Sequence, residues 1–171
     1  MLQLRLARQT VIRHCLCVLT FLALSGCFTL SLTSRYDEVT DKELTALQQS
    51  TDDFIVKLAT EPNPKARAFE TNQDFYTDAD KQIRHLEFRV NSIPDNAQTI
   101  KLVKDIRAVI LGNGQCSAEG ASLRDLHCMP QNLIKGPSTT SLTIQQRNIN
   151  QTIGAALAVE IAKKQGLESA K

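Results

Sequence analysis

Apolar side chains recur at steps of three and four residues along most of the chain, which is the spacing of amphipathic helices. Four stretches keep this spacing, at residues 36–60, 66–92, 96–111 and 141–165. No stretch of useful length alternates apolar and polar residues as a half-buried strand does. The pattern therefore predicts an all-α fold, an antiparallel up-and-down bundle of about four main helices.

The second stretch has the most regular pattern, because its apolar positions alternate steps of three and four. They are Phe69, Asn72, Tyr76, Ala79, Ile83, Leu86, Val90 and Ile93. This is a heptad seam with Asn72 as its one polar member. Pro94 ends the run, since proline cannot continue a helix. We expect this helix to form one arm of an antiparallel hairpin.

The last stretch has an apolar stripe that includes Leu142, Ile149, Ile153 and Ile161, and Gly166 is predicted to end it. Glu160 falls at the edge of this stripe. A buried carboxylate needs a partner, because an unpaired one is costly. The candidate partners are Arg84, Arg89 and Arg107.

The N-terminal segment has a different pattern, with three arginines and no acid before an apolar run at residues 15–24 and the small pair Ser25-Gly26. This is the layout of a secretory signal peptide, predicted at residues 1–26. Arginines stay on the cytoplasmic side of a membrane, so the chain that follows is predicted to be exported.

Leu24-Ser25-Gly26-Cys27 resembles the lipobox of bacterial lipoproteins. The resemblance implies cleavage before Cys27 and acylation of that residue, with residues 27–35 as a lipidated tether and 36–171 as the helical domain. Phe28 stands where Asp would mark inner-membrane retention, which favours the outer membrane. An uncleaved membrane anchor at residues 15–34, and cleavage without acylation, are the alternatives.

Composition narrows the classes of function. Residues 1–26 hold three of the 20 Lys and Arg and none of the 18 Asp and Glu, so the remaining 145 residues carry a net charge of −1. That balance gives no electrostatic case for nucleic-acid binding. We find no nucleophile-elbow, zinc-protease or phosphate-loop motif. The sequence thus predicts no catalytic residue, no metal ligand and no cofactor.

Cys116 and Cys128 remain beyond the predicted anchor, and in an oxidising compartment such a pair is typical of a disulfide. A zinc site that adds His127, and two free thiols, are the alternatives. His85 is predicted at the surface, and so are the carboxylates of Asp74, Asp78 and Asp80, although these carboxylates could in principle serve acid–base chemistry.

Two further stretches, TSRYDEVTDKELTALQQSTDDFIVKL and IGAALAVEIAKKQG, are similar to small proteobacterial lipoproteins of unknown function. The resemblance implies a helical periplasmic domain on a lipid anchor and brings no activity. In size and architecture the chain also resembles the pilotin lipoproteins.

The leading hypothesis is therefore a non-enzymatic lipoprotein, lipid-anchored at the periplasmic face of the outer membrane, with a helical interaction domain for an envelope protein. A pilotin-like or adaptor lipoprotein that binds a helix of an envelope partner is the alternative, and a periplasmic hydrolase is a more distant one.

Overall fold

Residues 34–113, 116 and 121–168 are described by a computed structural model, which is helical and contains no strand within these residues. The elements are α1 (Glu38–Thr60), a single 3-10 turn (Glu70–Asn72), α2 (Gln73–Asn91), α3 (Ala97–Leu111), the short α4 (Leu123–Cys128) and α5 (Thr139–Glu168). The predicted all-α bundle with four main helices is confirmed.

The four long helices form a ring, because α1 packs against α2 and α5, and α3 packs against the same two helices. Neighbours run in opposite directions. Asp37 at the start of α1 meets Arg89 at the end of α2, and Thr99 at the start of α3 meets Glu160 near the end of α5. The topology is therefore up-and-down, and the apolar stripes of all four helices share one core.

The first helix begins at a side-chain cap. Asp37 has an extended backbone, and its carboxylate accepts hydrogen bonds from the backbone N–H of Thr40 (3.0 Å) and from the Thr40 hydroxyl (2.6 Å). An aspartate at this position satisfies one of the backbone donors that a helix leaves free at its start. The helix ends at Thr60, before the Pro62 and Pro64 that the sequence places there.

The heptad seam of α2 is buried as predicted, but the helix begins later than predicted. All seam positions from Phe69 to Val90 are buried, and Ile93 is half-buried. Residues 64–69 form turns instead of a first helical segment. The Asn72 side chain explains this difference, because its amide donates to the backbone carbonyls of Ala66 and Ala68, both at 2.8 Å, and stabilises the turns.

The third helix buries Val103, Ile106 and Ile110 and ends at Leu111, directly before Gly112. Gly112 has a φ of +61°, a conformation that favours glycine. A Cβ atom at this position would also lie 2.4 Å from a carboxylate oxygen of Asp125. The glycine therefore permits both the sharp turn after α3 and its close approach to α4.

The last helix differs from its prediction in two respects. It continues through Gly166 to Glu168, so the predicted end at Gly166 is wrong. Ile161, expected in the buried stripe, is 50% exposed, whereas Glu160 and Lys163 are buried. The buried face of α5 therefore continues past Ala156 with charged residues in place of apolar ones.

The chain enters the domain at Ser34, two residues before the predicted boundary at Tyr36. The Ser34 backbone N–H donates to the Asp95 carbonyl (3.1 Å), and its hydroxyl donates to the Asn96 side chain (2.8 Å). Both partners lie in the turn between α2 and α3. Within the described residues, no helix combines the length and the apolar character needed to cross a membrane.

Candidate functional site

The predicted acylation site, Cys27, lies outside the described residues, together with the predicted signal peptide and most of the predicted tether. The other predicted covalent feature is present. Cys116 and Cys128 form a disulfide with their Cα atoms 5.3 Å apart, inside the usual range for such a bond. The disulfide connects the loop after α3 to the last residue of α4.

His127, the histidine of the alternative zinc site, is hydrogen-bonded to Tyr76 and to the backbone of Arg67. The imidazole is fully buried, with Nδ1 2.8 Å from the Tyr76 hydroxyl and Nε2 2.8 Å from the Arg67 carbonyl. Because a carbonyl only accepts, Nε2 carries the proton and Nδ1 accepts from the tyrosine. Burial lowers the pKa of His127 and raises that of Tyr76, so both groups are neutral. Cys128, in the disulfide, offers no thiolate to a metal.

The remaining predicted polar candidates do not come together. His85 is exposed and lies 2.7 Å from a Glu43 oxygen, on the side of α2 that faces α1. Asp74 and Asp78 are exposed, and Asp78 pairs with Lys81. Asp80 alone is half-buried and lines a cleft, which is described below.

Glu160 is fully buried, as its position at the stripe suggested, but its predicted arginine partners are wrong. Its partner is Lys163, one turn later on the same helix, with Nζ 2.6 Å from Oε1. The same oxygen accepts from the Thr99 hydroxyl at 2.9 Å. Arg89 pairs instead with Asp37, while Arg84 and Arg107 lie on the face of α2 and α3 away from α5.

We call Ser34, Asn96, Thr99, Glu160 and Lys163 the polar network. The three N–H donors of Lys163 are all used, on Glu160 (2.6 Å), Thr99 (2.8 Å) and Asn96 (2.8 Å). The Asn96 side-chain oxygen also accepts from Ser34, and its amide donates to the backbone. The network lies where the chain enters the domain, and its charges are paired and hydrogen-bonded, which is the condition for burying charge.

A cleft of about 490 Å³ lies between the first half of α2, the end of α3 and the start of α4. We call it the arginine cleft, because Arg84, Arg107 and Arg124 line it together with one carboxylate, Asp80. Its other lining side chains include the apolar Phe69, Tyr76 and Leu111, and the polar Gln73 and Thr77. The cleft is thus positively charged at one side and apolar at another.

Arg107 is held in place by two carboxylates of α2. Its Nε and Nη2 atoms donate to the two oxygens of Glu87, at 2.7 and 3.0 Å, in a bidentate pair. Its Nη1 donates to Asp80 at 2.7 Å. The guanidinium group is therefore fixed on both sides, and its charge is balanced.

Asp80 connects two of the arginines. One of its oxygens accepts from Arg107, and the other lies 2.8 Å from Nε of Arg84. Partial burial alone would raise the pKa of the Asp80 carboxyl, but the two guanidinium groups outweigh it and lower that pKa. Asp80 is therefore ionised and cannot act as an acid near neutral pH. The terminal nitrogens of Arg84, a residue that lines the cleft, donate to no described residue.

Arg124 is the residue that sequence reasoning missed. It lies on α4 beside the disulfide, is half-buried, and forms no ion pair with any described residue. Its Nε atom is buried and has no hydrogen-bond partner among those residues. One signal was available in the sequence. Arg84 has Asp80 one turn before it, whereas Arg124 has no acid three or four residues away on either side.

A second surface depression, the α1–α2 groove, has a volume of about 550 Å³. Ala46, Leu47 and Leu86 form its apolar part, and Glu43 and His85 lie in its lining. It lies between α1 and α2, whereas the arginine cleft lies between α2, α3 and α4.

Comparisons with known proteins return no match: no family model, no curated protein and no solved structure is similar to the chain.

Proposed function

We propose that this protein is a bacterial lipoprotein, acylated at Cys27, whose exported helical domain is a binding module at the periplasmic face of the outer membrane. The observation that carries the proposal is Leu24-Ser25-Gly26-Cys27 at the end of an apolar run that follows three arginines. An acyl chain and a diacylglycerol together supply the two or more apolar chains that stable anchoring needs.

The disulfide supports export on separate grounds. Bonds such as that between Cys116 and Cys128 form and persist in oxidising compartments and are rare in the cytosol. A disulfide in a bacterial domain therefore favours a periplasmic location over a cytosolic one. This argument uses residues about ninety positions away from the signal and does not depend on the lipobox.

The placement of the histidines favours binding over hydrolysis. His127 is buried, and both of its ring nitrogens are hydrogen-bonded to other groups of the protein, so neither is free to exchange a proton with a substrate. His85 lies in the α1–α2 groove and pairs with Glu43, away from the arginine cleft. The one carboxylate of the cleft, Asp80, is paired with two arginines.

The α1–α2 groove favours a second candidate, the pilotin-like adaptor that binds a helix of an envelope partner. An amphipathic helix docks its apolar face into a groove of this kind. A photo-crosslinking residue at exposed Ala46 would then capture one defined partner in cells, and the same residue at exposed Ile144, outside this groove, would not. Equal capture at both positions contradicts this candidate.

The acylation site is tested by Cys27→Ser, with Cys17→Ser as the matched control. Serine has no thiol to receive the diacylglycerol, so we expect Cys27→Ser to accumulate as a longer, unacylated precursor. Cys17 lies within the predicted signal, and its replacement removes a thiol without touching the lipobox. We expect this control to be processed and labelled by fatty acid like the wild type. Acylation of the Cys27→Ser protein overturns the proposal.

A further inference from the structure

We propose that the arginine cleft binds a small organic anion, and that Arg124 and Arg84 hold its carboxylate or phosphate group. This inference rests on the proposed function only in treating the domain as a binding module, and it does not depend on acylation. It assigns a ligand chemistry to a site whose described lining contains neither Cys116, Cys128 nor a histidine.

Not every arginine of the cleft has an acidic partner among the described residues. Three guanidinium groups meet there, from Arg84, Arg107 and Arg124, and two carboxylates pair with them, Asp80 and Glu87. Arg124 is left with a positive charge that no described carboxylate pairs with, since the buried carboxylate next to it in the sequence, Asp125, accepts from the Ser122 hydroxyl instead. An anion in the cleft would balance that charge.

The N–H donors that are not used within the described residues also belong to Arg84 and Arg124. Arg107 uses Nε and both terminal nitrogens on Glu87 and Asp80, so its role is to hold the α2–α3 wall of the cleft. Arg84 uses Nε on Asp80, and its terminal N–H groups donate to no described residue. Arg124 donates to no described residue. A planar guanidinium with free N–H groups suits the oxygens of a carboxylate or phosphate, which it can bind with two parallel hydrogen bonds.

The described residues include four buried side-chain polar atoms without a hydrogen-bond partner, and the Nε atom of Arg124 is the one whose residue lines the cleft. A donor that is removed from solvent and left without a partner is destabilising, so native proteins rarely keep one without a reason. In the polar network at the other end, every donor of the buried Lys163 is satisfied by the protein itself. A ligand oxygen would accept a hydrogen bond from Arg124, as the oxygens of Glu160, Thr99 and Asn96 do from Lys163.

The remaining lining indicates what else the ligand carries. The cleft volume of about 490 Å³ lies within the range of small-molecule sites and exceeds the needs of a bare ion. Phe69 and Leu111 offer apolar contact, and Gln73 and Thr77 offer polar contact. We therefore expect an acidic group on a small carbon skeleton to bind more tightly than an inorganic ion.

The test is calorimetric titration of the full chain, purified in detergent, with succinate, inorganic phosphate and phenyl phosphate, against sodium chloride at equal ionic strength. We expect saturable binding of phenyl phosphate or succinate, tighter than that of inorganic phosphate. Arg124→Gln should weaken this binding about tenfold, which corresponds to about 1.4 kcal/mol. The matched control is Arg147→Gln, which removes the same charge from an exposed position on α5 and should bind like the wild type.

Three results overturn the proposal: no saturable binding of any of the anions, binding that inorganic phosphate and chloride reproduce equally, or equal weakening in the two variants. If Arg124→Gln does not fold by circular dichroism, Arg124→Lys keeps the charge and loses the planar fork, and it should still weaken binding. The intact mass of the same preparation reports acylation, so a failed anchor and a failed anion site are distinguished.

Discussion

The two ends of the bundle differ in whether their buried charged groups have hydrogen-bonding partners. At the end where the chain enters, Lys163 is 9% exposed and Glu160 is fully buried, and both are surrounded by partners from α3 and the entering chain. At the other end, Arg124 is half-buried beside a cleft and has a buried Nε atom with no partner among the described residues. Both ends contain charged side chains that are at least partly buried. Among the described residues, the charges of the polar network are fully paired and hydrogen-bonded, whereas that of Arg124 is not.

This difference separates a structural role from a binding role. A buried charge with a full set of partners fixes the register of the elements that supply them, here α3, α5 and Ser34. A charge left without partners gains nothing to offset the cost of its partial burial, and it remains available to a ligand. The two ends should therefore respond differently to the same substitution.

The largest effect is expected at the polar network. Lys163→Met keeps the length of the side chain and removes its charge, which leaves Glu160 buried without a counterion. Breaking a buried pair in this way destabilises a protein by about 3–5 kcal/mol. We expect a loss of that size in the free energy of unfolding, measured by urea denaturation.

The matched change at the cleft is Arg124→Met. Since Arg124 pairs with no described residue, the stability of this variant should fall by no more than about 0.5 kcal/mol below that of the wild type. A further variant, Glu160→Gln combined with Lys163→Met, should recover part of the loss because no charge is then left buried. Equal destabilisation by Lys163→Met and Arg124→Met would break the contrast between the two ends.

The next effect concerns the disulfide, which constrains the end that carries the cleft. Closing a loop of this length, with a sequence separation of 12, stabilises a domain by about 3 kcal/mol. We expect Cys116→Ser combined with Cys128→Ser to lower the thermal midpoint, and a reducing agent to have the same effect on the wild type. The reducing agent should not affect the double variant, and a midpoint that is insensitive to reduction in the wild type contradicts the prediction.

The smallest effect is a loss of stability in acid. The hydrogen bonds from Arg89 hold the pKa of Asp37 well below its ordinary value, with help from Thr40. A carboxyl whose pKa is lowered by folding stabilises the protein above its unfolded pKa, about 3.9, and this contribution is lost as the pH falls further. Asp37→Asn keeps a good helix cap and removes the titration.

We expect Asp37→Asn to be less stable than the wild type by about 1 kcal/mol at pH 7, because the Arg89 pair is partly exposed. The difference between the two proteins should shrink as the pH falls from 5 to 2, in urea titrations repeated at each pH. A difference that stays constant over this interval would show that the charge of Asp37 does not contribute.

Much of the fold followed from the apolar pattern, because burial of an apolar face determines how each helix packs. The seam from Phe69 to Val90 is buried at every predicted position. The helix α2 starts later than the apolar spacing predicts, because that spacing continues through turns that the buried Asn72 side chain stabilises. A polar residue in a seam marks a special position without showing which bonds it makes.

The two ends were harder to predict because polar contacts depend on the arrangement of distant elements. The buried position of Glu160 followed from its place beside the stripe, but its partner did not. The sequence offers three arginines on other helices as candidates, whereas the partner is Lys163, on the same helix. The arginine cleft was missed entirely, because its residues come from α2, α3 and α4 and meet only in the folded chain.

The proposed function depends most on cleavage before Cys27 and acylation of that residue, and the intact mass of the protein extracted from the cell envelope tests this directly. The expected mass is that of residues 27–171 with a diacylglycerol and a further acyl chain attached, and with Cys116 and Cys128 protected from alkylation unless the protein is first reduced. A mass that matches the full chain of 171 residues, or a chain cut elsewhere and free of acyl groups, would contradict the lipoprotein proposal.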